Sequence, residues 1–136
     1  MPAPVIAYAA SAVAFFALDF IWLSLAVPRL YKPLLGTLLR ESPNLPVAGA
    51  FYLVYVVGLV VFAVLPAASA GSWLMALGLG ALLGLVAYGT YDFTNLSTVK
   101  DWPLMVSVVD LAWGISVSAV ASLVGYAVLS WFSPSA

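Results

Sequence analysis

The chain has 136 residues, of which 65% are hydrophobic and 7% are charged. A soluble domain carries about a quarter charged residues, so this chain has too little polar surface to cover itself in water. Its four basic residues cannot form a phosphate-binding stripe, which excludes nucleic acid as a partner. Because cysteine and histidine are both missing, disulfides, iron–sulfur clusters, histidine-held haem and the usual zinc sites are excluded, and we expect no cofactor.

Four long apolar runs account for most of the chain. In a bilayer every backbone polar group must be paired within the protein, which leaves helices or a closed barrel. The runs are continuous rather than alternating, and each reaches the roughly 20 residues that a helical span needs. They predict an all-α integral membrane protein, a four-transmembrane-helix bundle forming a single domain over residues 1–136. The predicted spans are 5–27, 47–65, 73–97 and 104–132.

Prolines suggest where the first two spans end. Pro28 follows the first predicted span and Pro66 follows the second, and proline breaks the interior of a helix. After Pro33, four leucines fall on one helical face and the charged residues fall elsewhere. This spacing predicts a short interfacial helix over 33–41. This helix is either a tether that keeps its leucines out of water or a contact with anionic lipid headgroups. The small number of basic residues favours the tether.

A short internal similarity suggests two tandem helical hairpins. Asp19-Phe20 is followed by Leu23-Ser24 in the first span, and Asp92-Phe93 is followed by Leu96-Ser97 in the third. Repeats in the same orientation would be related by an axis along the membrane normal. In so biased a composition, chance explains the match equally well.

The basic residues predict an orientation. Arg29, Lys32 and Arg40 lie between spans one and two, and Lys100 lies between spans three and four. The positive-inside rule places both connections in the cytoplasm. We therefore expect a multi-pass protein of the inner (plasma) membrane, with both termini on the outer, periplasmic side. In this orientation Tyr31 would mark the inner interface.

Three acidic residues lie within the spans: Asp19, Asp92 and Asp110. Asp19 lies nine residues before Pro28, and Asp92 and Asp110 each lie nine residues from Asp101. These distances place all three at one depth, about 13 Å from the cytoplasmic side. A charged aspartate at the centre of a span costs about 2.5–3.5 kcal/mol. We therefore expect the carboxyl groups to face the interior and to be neutralised by protons, a bound cation or hydrogen-bond donors. A purely structural alternative is a protonated aspartate that bonds a neighbouring helix.

Polar and small residues surround these aspartates in the sequence. Tyr88, Asp92 and Asn95 share one face of the third span, which Gly80 and Gly84 continue as a surface for close packing. We expect the hydroxyl and amide groups of this span to donate hydrogen bonds to Asp92. Trp22 and Trp113 each follow an aspartate by three residues. Each either donates its indole N–H to a carboxylate, or packs as a wall of the site against lipid, or anchors the helix at the membrane interface. The candidate binding residues are Asp19, Trp22, Tyr88, Tyr91, Asp92, Thr94, Asn95, Asp110 and Trp113.

Four segments carry a family resemblance: LDFIWLSLAVPRLYKPLLG, FYLVYVVGLVVFAVLP, AYGTYDFTNLSTVKDWP and VVDLAWG. Together they resemble the bacterial membrane family catalogued as domain of unknown function twenty-one seventy-seven, over nearly the whole chain. The Tyr-Asp-x-Thr-Asn run before Lys100 and the Asp-x-x-Trp-Gly run of span four are the most specific parts. The resemblance implies a four-span architecture and no particular activity.

Three functions remain open at this point. A binder or carrier would hold a proton, a cation or a small amphiphile at the aspartates. A membrane enzyme acting on a lipid or isoprenoid would use Asp92, Asn95 and Asp110 to hold Mg²⁺, or an aspartate as proton donor. A structural subunit would pack against a larger membrane complex. Lipids are the expected surroundings in every case, self-association stays open, and neither a catalytic residue nor a metal ligand is assigned.

Overall fold

A computed structural model describes residues 2–132, and these residues form helices and short connections with no strand among them. Four helical segments are long and apolar enough to cross a membrane, as the composition predicts. We name them in chain order: α1 is Ala3–Leu38, α2 is Leu45–Ala70, α3 is Trp73–Thr98 and α4 is Leu104–Phe132. The predicted all-α, four-span fold class is confirmed.

Pro28 does not end the first helix. The chain passes through a π turn at Val27–Tyr31, where the backbone N–H of Lys32 bonds the carbonyl of Val27, five residues back. The next residue, Pro33, has no N–H and its ring crowds the preceding turn, and a widened turn accommodates both effects. The predicted interfacial segment 33–41 therefore begins as a direct continuation of α1, which closes with a 3-10 turn.

The second helix also accommodates a proline by means of a π turn. A π turn at Val60–Val64 lets Leu65 donate its N–H to the carbonyl of Val60, immediately before Pro66. The helix continues to Ala70, beyond the predicted end. Gly71 then turns the chain with a φ of 64°, a left-handed conformation that favours glycine.

The second hairpin, α3 with α4, is the most closely packed pair of helices. The main partner of α1 is α4 rather than α2, and α2 packs through its π turn against α3 and α4. The chain thus forms two consecutive hairpins that are packed very differently. We call the end with the connections 39–44 and 99–103 the loop end, and the end with the turn at Gly71 and Ser72 the turn end.

Small residues allow α3 and α4 to approach each other. A Cβ atom added to Gly84 would lie 2.4 Å from the carbonyl oxygen of Gly114 and 2.9 Å from the Cβ of Ser118. One added to Gly80 would lie 2.6 Å from the Oγ of Ser122. The predicted close packing through Gly80 and Gly84 is confirmed, because neither position has room for a side chain.

Two fully buried serines lie at close contacts between helices in the turn half of the bundle. Within residues 2–132, the hydroxyl oxygens of Ser11 and Ser122 have no conventional hydrogen-bond partner. Each instead lies against a glycine, Ser11 on Gly125 and Ser122 on Gly80. An oxygen packed on a glycine Cα–H makes a weak hydrogen bond that suits close helix interfaces. This half of the interior is consequently tightly packed around apolar side chains such as Phe15 and Leu59.

Candidate functional site

The loop half of the bundle contains the three intramembrane carboxyl groups. Asp19 on α1 is 5% exposed, Asp92 on α3 is 1% exposed, and Asp110 on α4 is half-buried. All three side chains therefore face the interior to some degree, as the cost of placing a charge against lipid predicts. They do not share one set of partners.

Asp19 has both carboxyl oxygens bonded. The hydroxyl of Tyr52, from α2, donates to Oδ2 at short range, and the indole Nε1 of Trp113, from α4, donates to Oδ1 at 3.1 Å. This carboxyl group therefore joins three helices. We refer to Asp19, Tyr52 and Trp113 as the Asp19 anchor.

Asp110 is bonded by Tyr31, a residue that the sequence analysis placed at the membrane interface. Its Oδ1 accepts a 2.6 Å hydrogen bond from the hydroxyl of Tyr31, and that hydroxyl accepts one from Nε1 of Trp22 at 3.3 Å. The expectation that Tyr31 marks the membrane interface is wrong, since its side chain is only 9% exposed. The π turn keeps α1 helical past Pro28 and so returns Tyr31 to the interior.

The two Asp-x-x-Trp runs, one on α1 and one on α4, pack against each other. Asp19 precedes Trp22 on α1 by three residues, and Asp110 precedes Trp113 on α4 by the same spacing. Because these helices are antiparallel, each tryptophan lies at the level of the other helix's aspartate. The two rings stack with centroids 4.8 Å apart and planes inclined by 8°. One ring of the stack, Trp113, bonds Asp19, and the other, Trp22, bonds the Tyr31 hydroxyl that donates to Asp110.

Asp92 is the exception in this network. Both of its carboxyl oxygens are buried without a hydrogen-bond partner among the described residues. The carboxyl group of Asp110 lies close enough that a proton on either carboxyl would join the two by a hydrogen bond. We call Asp92 and Asp110 the carboxyl pair. A buried polar group left unsatisfied costs about 1–3 kcal/mol, so its presence calls for an explanation.

The expected donors of Asp92 do not reach it. Tyr88 packs its ring on Gly114. Tyr91 is half exposed, lies edge-on to Trp102 and contacts Asn95, while Thr94 is exposed. The prediction that hydroxyl and amide groups of this span bond the Asp92 carboxyl is wrong. The helical turn that holds Asp92 inside directs Tyr91 and Thr94 outward.

The backbone around Asp92 is nevertheless well fixed. The Ser107 hydroxyl donates to the Asp92 carbonyl at 2.9 Å and accepts from the Trp102 indole at 3.0 Å. Tyr31, Tyr52 and Trp102 are the site residues that the sequence interpretation missed. None carries an intramembrane charge, and only their approach to an aspartate in the fold gives them a role.

A cavity of about 260 Å³ opens between α3 and α4 beside Asp92. We call it the lateral cavity. Its lining is apolar except for two residues and consists of Asp92, Phe93, Leu96, Leu104, Ser107, Val108, Leu111, Ala112 and Ile115. It lies in the loop half of the bundle.

The described residues include no group of three or more acidic side chains that could hold a metal ion. Asp19 and Asp110 accept hydrogen bonds from different side chains. Two adjacent carboxyl groups and a tyrosine hydroxyl can share protons and accept hydrogen bonds.

No curated protein and no solved structure matches this chain. A family model described as a predicted membrane protein, DUF2177, matches residues 4–127. The match covers all four helices apart from Ala3 of α1 and the last residues of α4. The chain therefore belongs to the DUF2177 family of membrane proteins.

Proposed function

We propose that this protein binds a hydrogen-donating ligand at the carboxyl pair, a proton being the simplest such ligand and the head group of a small amphiphile the next. The observation that carries the proposal is the unpartnered, 1% exposed carboxyl group of Asp92 beside Asp110. Two adjacent carboxylates repel each other strongly in a low-dielectric interior, and a shared proton or a donor removes that repulsion.

The same geometry argues against the other candidates. A dehydrated Mg²⁺ needs several oxygen ligands, and the described residues contain no group of three or more acidic side chains that could supply them. A diphosphate substrate would also need basic side chains, and none of the four in the chain is among the residues that contact the carboxyl pair: Arg29 and Lys32 are exposed on α1, and Arg40 and Lys100 lie in the connections. The Asp19 anchor, with both oxygens bonded, suits a structural role instead.

Infrared spectroscopy tests the proposed proton directly. In metal-free buffer at neutral pH, the wild-type protein in lipid should show the stretching band of a protonated carboxyl group. Asp92→Asn should remove at least half of that band, because it takes away one member of the carboxyl pair. Asp101→Asn serves as the control, since Asp101 is exposed in a connection and should leave the band unchanged.

Two infrared results would contradict the proposed proton site. A wild-type spectrum without the band would exclude a bound proton, and a band that survives in Asp92→Asn would place the proton elsewhere. Circular dichroism of each variant establishes that the helices are intact before the spectra are compared.

We further propose that the protein resides in the inner membrane with its loop end in the cytoplasm. The support is the distribution of charge, because Arg40 and Lys100 lie in the connections of the loop end, and Arg29 and Lys32 lie in the part of α1 that leads to it. The termini would then lie outside, although residues 1 and 133–136 are outside the described part of the chain.

Cysteine labelling checks this orientation against a background free of native cysteine. In intact spheroplasts, a membrane-impermeant maleimide should label Ala70→Cys at the turn end and not Thr37→Cys at the loop end. Permeabilised cells should label both, since both positions are exposed. Labelling of Thr37→Cys in intact spheroplasts would reverse the topology.

A further inference from the structure

We infer that Tyr31 limits the carboxyl pair to one proton, which Asp92 carries and donates to the Asp110 carboxylate. The inference rests on the proposed function, because it requires that the pair holds a proton at neutral pH. It adds the carboxyl group that carries the proton, the direction of the hydrogen bond within the pair, and a positioning residue on α1.

The hydrogen of the Tyr31 hydroxyl is directed to Asp110. The indole Nε1 of Trp22 can only donate, so the Tyr31 oxygen accepts at that 3.3 Å contact. Its own hydrogen is then available to Oδ1 of Asp110, 2.6 Å away. A hydroxyl that donates to an ionised carboxylate makes a charge-assisted bond, about twice as strong as a bond to a neutral acceptor. The contacts of Tyr31 therefore favour a negative charge on Asp110.

The two members of the pair differ in the donors that reach them. The Asp92 carboxyl receives no hydrogen bond from the described residues, whereas Asp110 receives one. A proton on Asp92 gives the charge on Asp110 two donors, the Tyr31 hydroxyl and the Asp92 carboxyl. A proton on Asp110 would leave the charge on Asp92 with one donor and the Tyr31 hydroxyl on a neutral acceptor. Because a buried charge is less costly when it is more fully hydrogen-bonded, a single proton belongs on Asp92.

Other titratable side chains near the pair do not supply this donor. Tyr52 of α2 and Tyr88 and Tyr91 of α3 interact electrostatically with the pair. Tyr52 donates its hydroxyl to a different carboxyl group, and no side chain of the described residues bonds the Asp92 carboxyl. The four basic side chains are exposed on α1 or lie in the connections. The donor that the structure bonds to the pair is the Tyr31 hydroxyl.

The π turn of α1 brings Tyr31 to the pair, and π turns within α-helices occur frequently at functional sites. Tyr31 is the buried residue of this turn, and it packs in an apolar cluster with Leu35 and Val106. A phenylalanine ring would fill the same space, so the packing does not require the hydroxyl. Tyr31→Phe consequently removes the donor to Asp110 and retains the ring.

Infrared spectra of carboxyl variants, in lipid and metal-free buffer at neutral pH, locate the proton. The band of the pair is the difference between the wild type and the double variant Asp92→Asn/Asp110→Asn. Asp92→Asn should abolish that band, because Asp110 keeps its donor and stays ionised. Asp110→Asn should retain it, because Asp92 keeps its proton and donates it to the new amide oxygen. A band divided equally between the two single variants would overturn the assignment to Asp92.

Tyr31→Phe tests the limit of one proton. Without its donor, Asp110 should take up a second proton from the medium, so the band of the pair should grow by at least half of its wild-type area. Added to Asp92→Asn, the same substitution should restore a band that Asp92→Asn alone lacks. Tyr55→Phe is the matched control and should leave the band unchanged, since Tyr55 is also buried and bonds Ser118 rather than a carboxyl group.

The outcomes separate this inference from the proposed function. A general packing defect would expose the carboxyl groups and shrink the band, so growth of the band is specific to the lost hydroxyl. An unchanged or smaller band in Tyr31→Phe would overturn the role of Tyr31 and leave the proton site. Tyr31→Leu, which also lacks the hydroxyl, replaces Tyr31→Phe if circular dichroism shows that the latter is unfolded. Absence of any band in the wild type would remove the proposed proton and the inference together.

Discussion

Replacing Gly84 with alanine should destabilise the bundle by about 1–3 kcal/mol, the usual cost of forcing extra atoms into a packed interior. The added Cβ would lie 2.4 Å from the backbone carbonyl oxygen of Gly114. A backbone atom cannot move aside as a flexible side chain can, so α3 and α4 would have to separate. Reversible unfolding in mixed detergent micelles, followed by circular dichroism, measures the change in the free energy of unfolding.

Gly78 provides the control for this prediction. It lies in the same helix, and no atom of the described residues would come within 4 Å of an added Cβ. Alanine is intrinsically the better helix former by about 0.8–1 kcal/mol, so Gly78→Ala should be neutral or stabilising. Because both substitutions lie in one helix, opposite signs of the change in the free energy of unfolding would separate the packing effect from helix propensity. Equal effects of the two substitutions would show that α3 and α4 are not in close contact.

Replacing Asp19 with leucine should produce the largest loss of stability among the carboxyl variants. The change leaves the Tyr52 hydroxyl and the Trp113 indole without an acceptor in the interior. Each buried donor without a partner costs about 1–3 kcal/mol. Because the Asp19 anchor joins α1, α2 and α4, unfolding in mixed micelles should begin at a lower denaturant fraction.

A second substitution distinguishes lost hydrogen bonds from a general packing defect. Tyr52→Phe removes one of the two stranded donors, so the double variant should be less destabilised than the sum of the two single variants predicts. Asp101→Asn, in an exposed connection, should have no measurable effect. Strict additivity of Asp19→Leu and Tyr52→Phe would show that these side chains do not interact.

The wide difference expected between Asp19 and Asp92 follows from their surroundings rather than from their residue type. Asp19 accepts two hydrogen bonds, whereas the Asp92 carboxyl accepts none from the described residues. Removing a bonded acceptor strands its donors, while removing an unpartnered one strands nothing. A buried carboxyl group whose neighbour is a second carboxyl group fits the proposed proton site better than a role in stability.

Sequence alone determined the membrane environment, the four helices and the burial of the aspartates. These features follow from transfer energies, which depend on residue type and on the length of an apolar run. The close approach at Gly80 and Gly84 was also predictable, because only small residues in one stripe permit it.

Only the tertiary structure decided which groups meet. The prolines suggested that α1 and α2 end early, but π turns carry both helices onward, and this brings Tyr31 to Asp110. The sequence placed the aspartates at one level, yet antiparallel packing of α1 on α4 sets each tryptophan opposite the other helix's aspartate. Hydrogen-bond partners depend on helix rotation and register, which hydropathy does not encode. For this reason the isolation of Asp92 could be seen only in the folded chain.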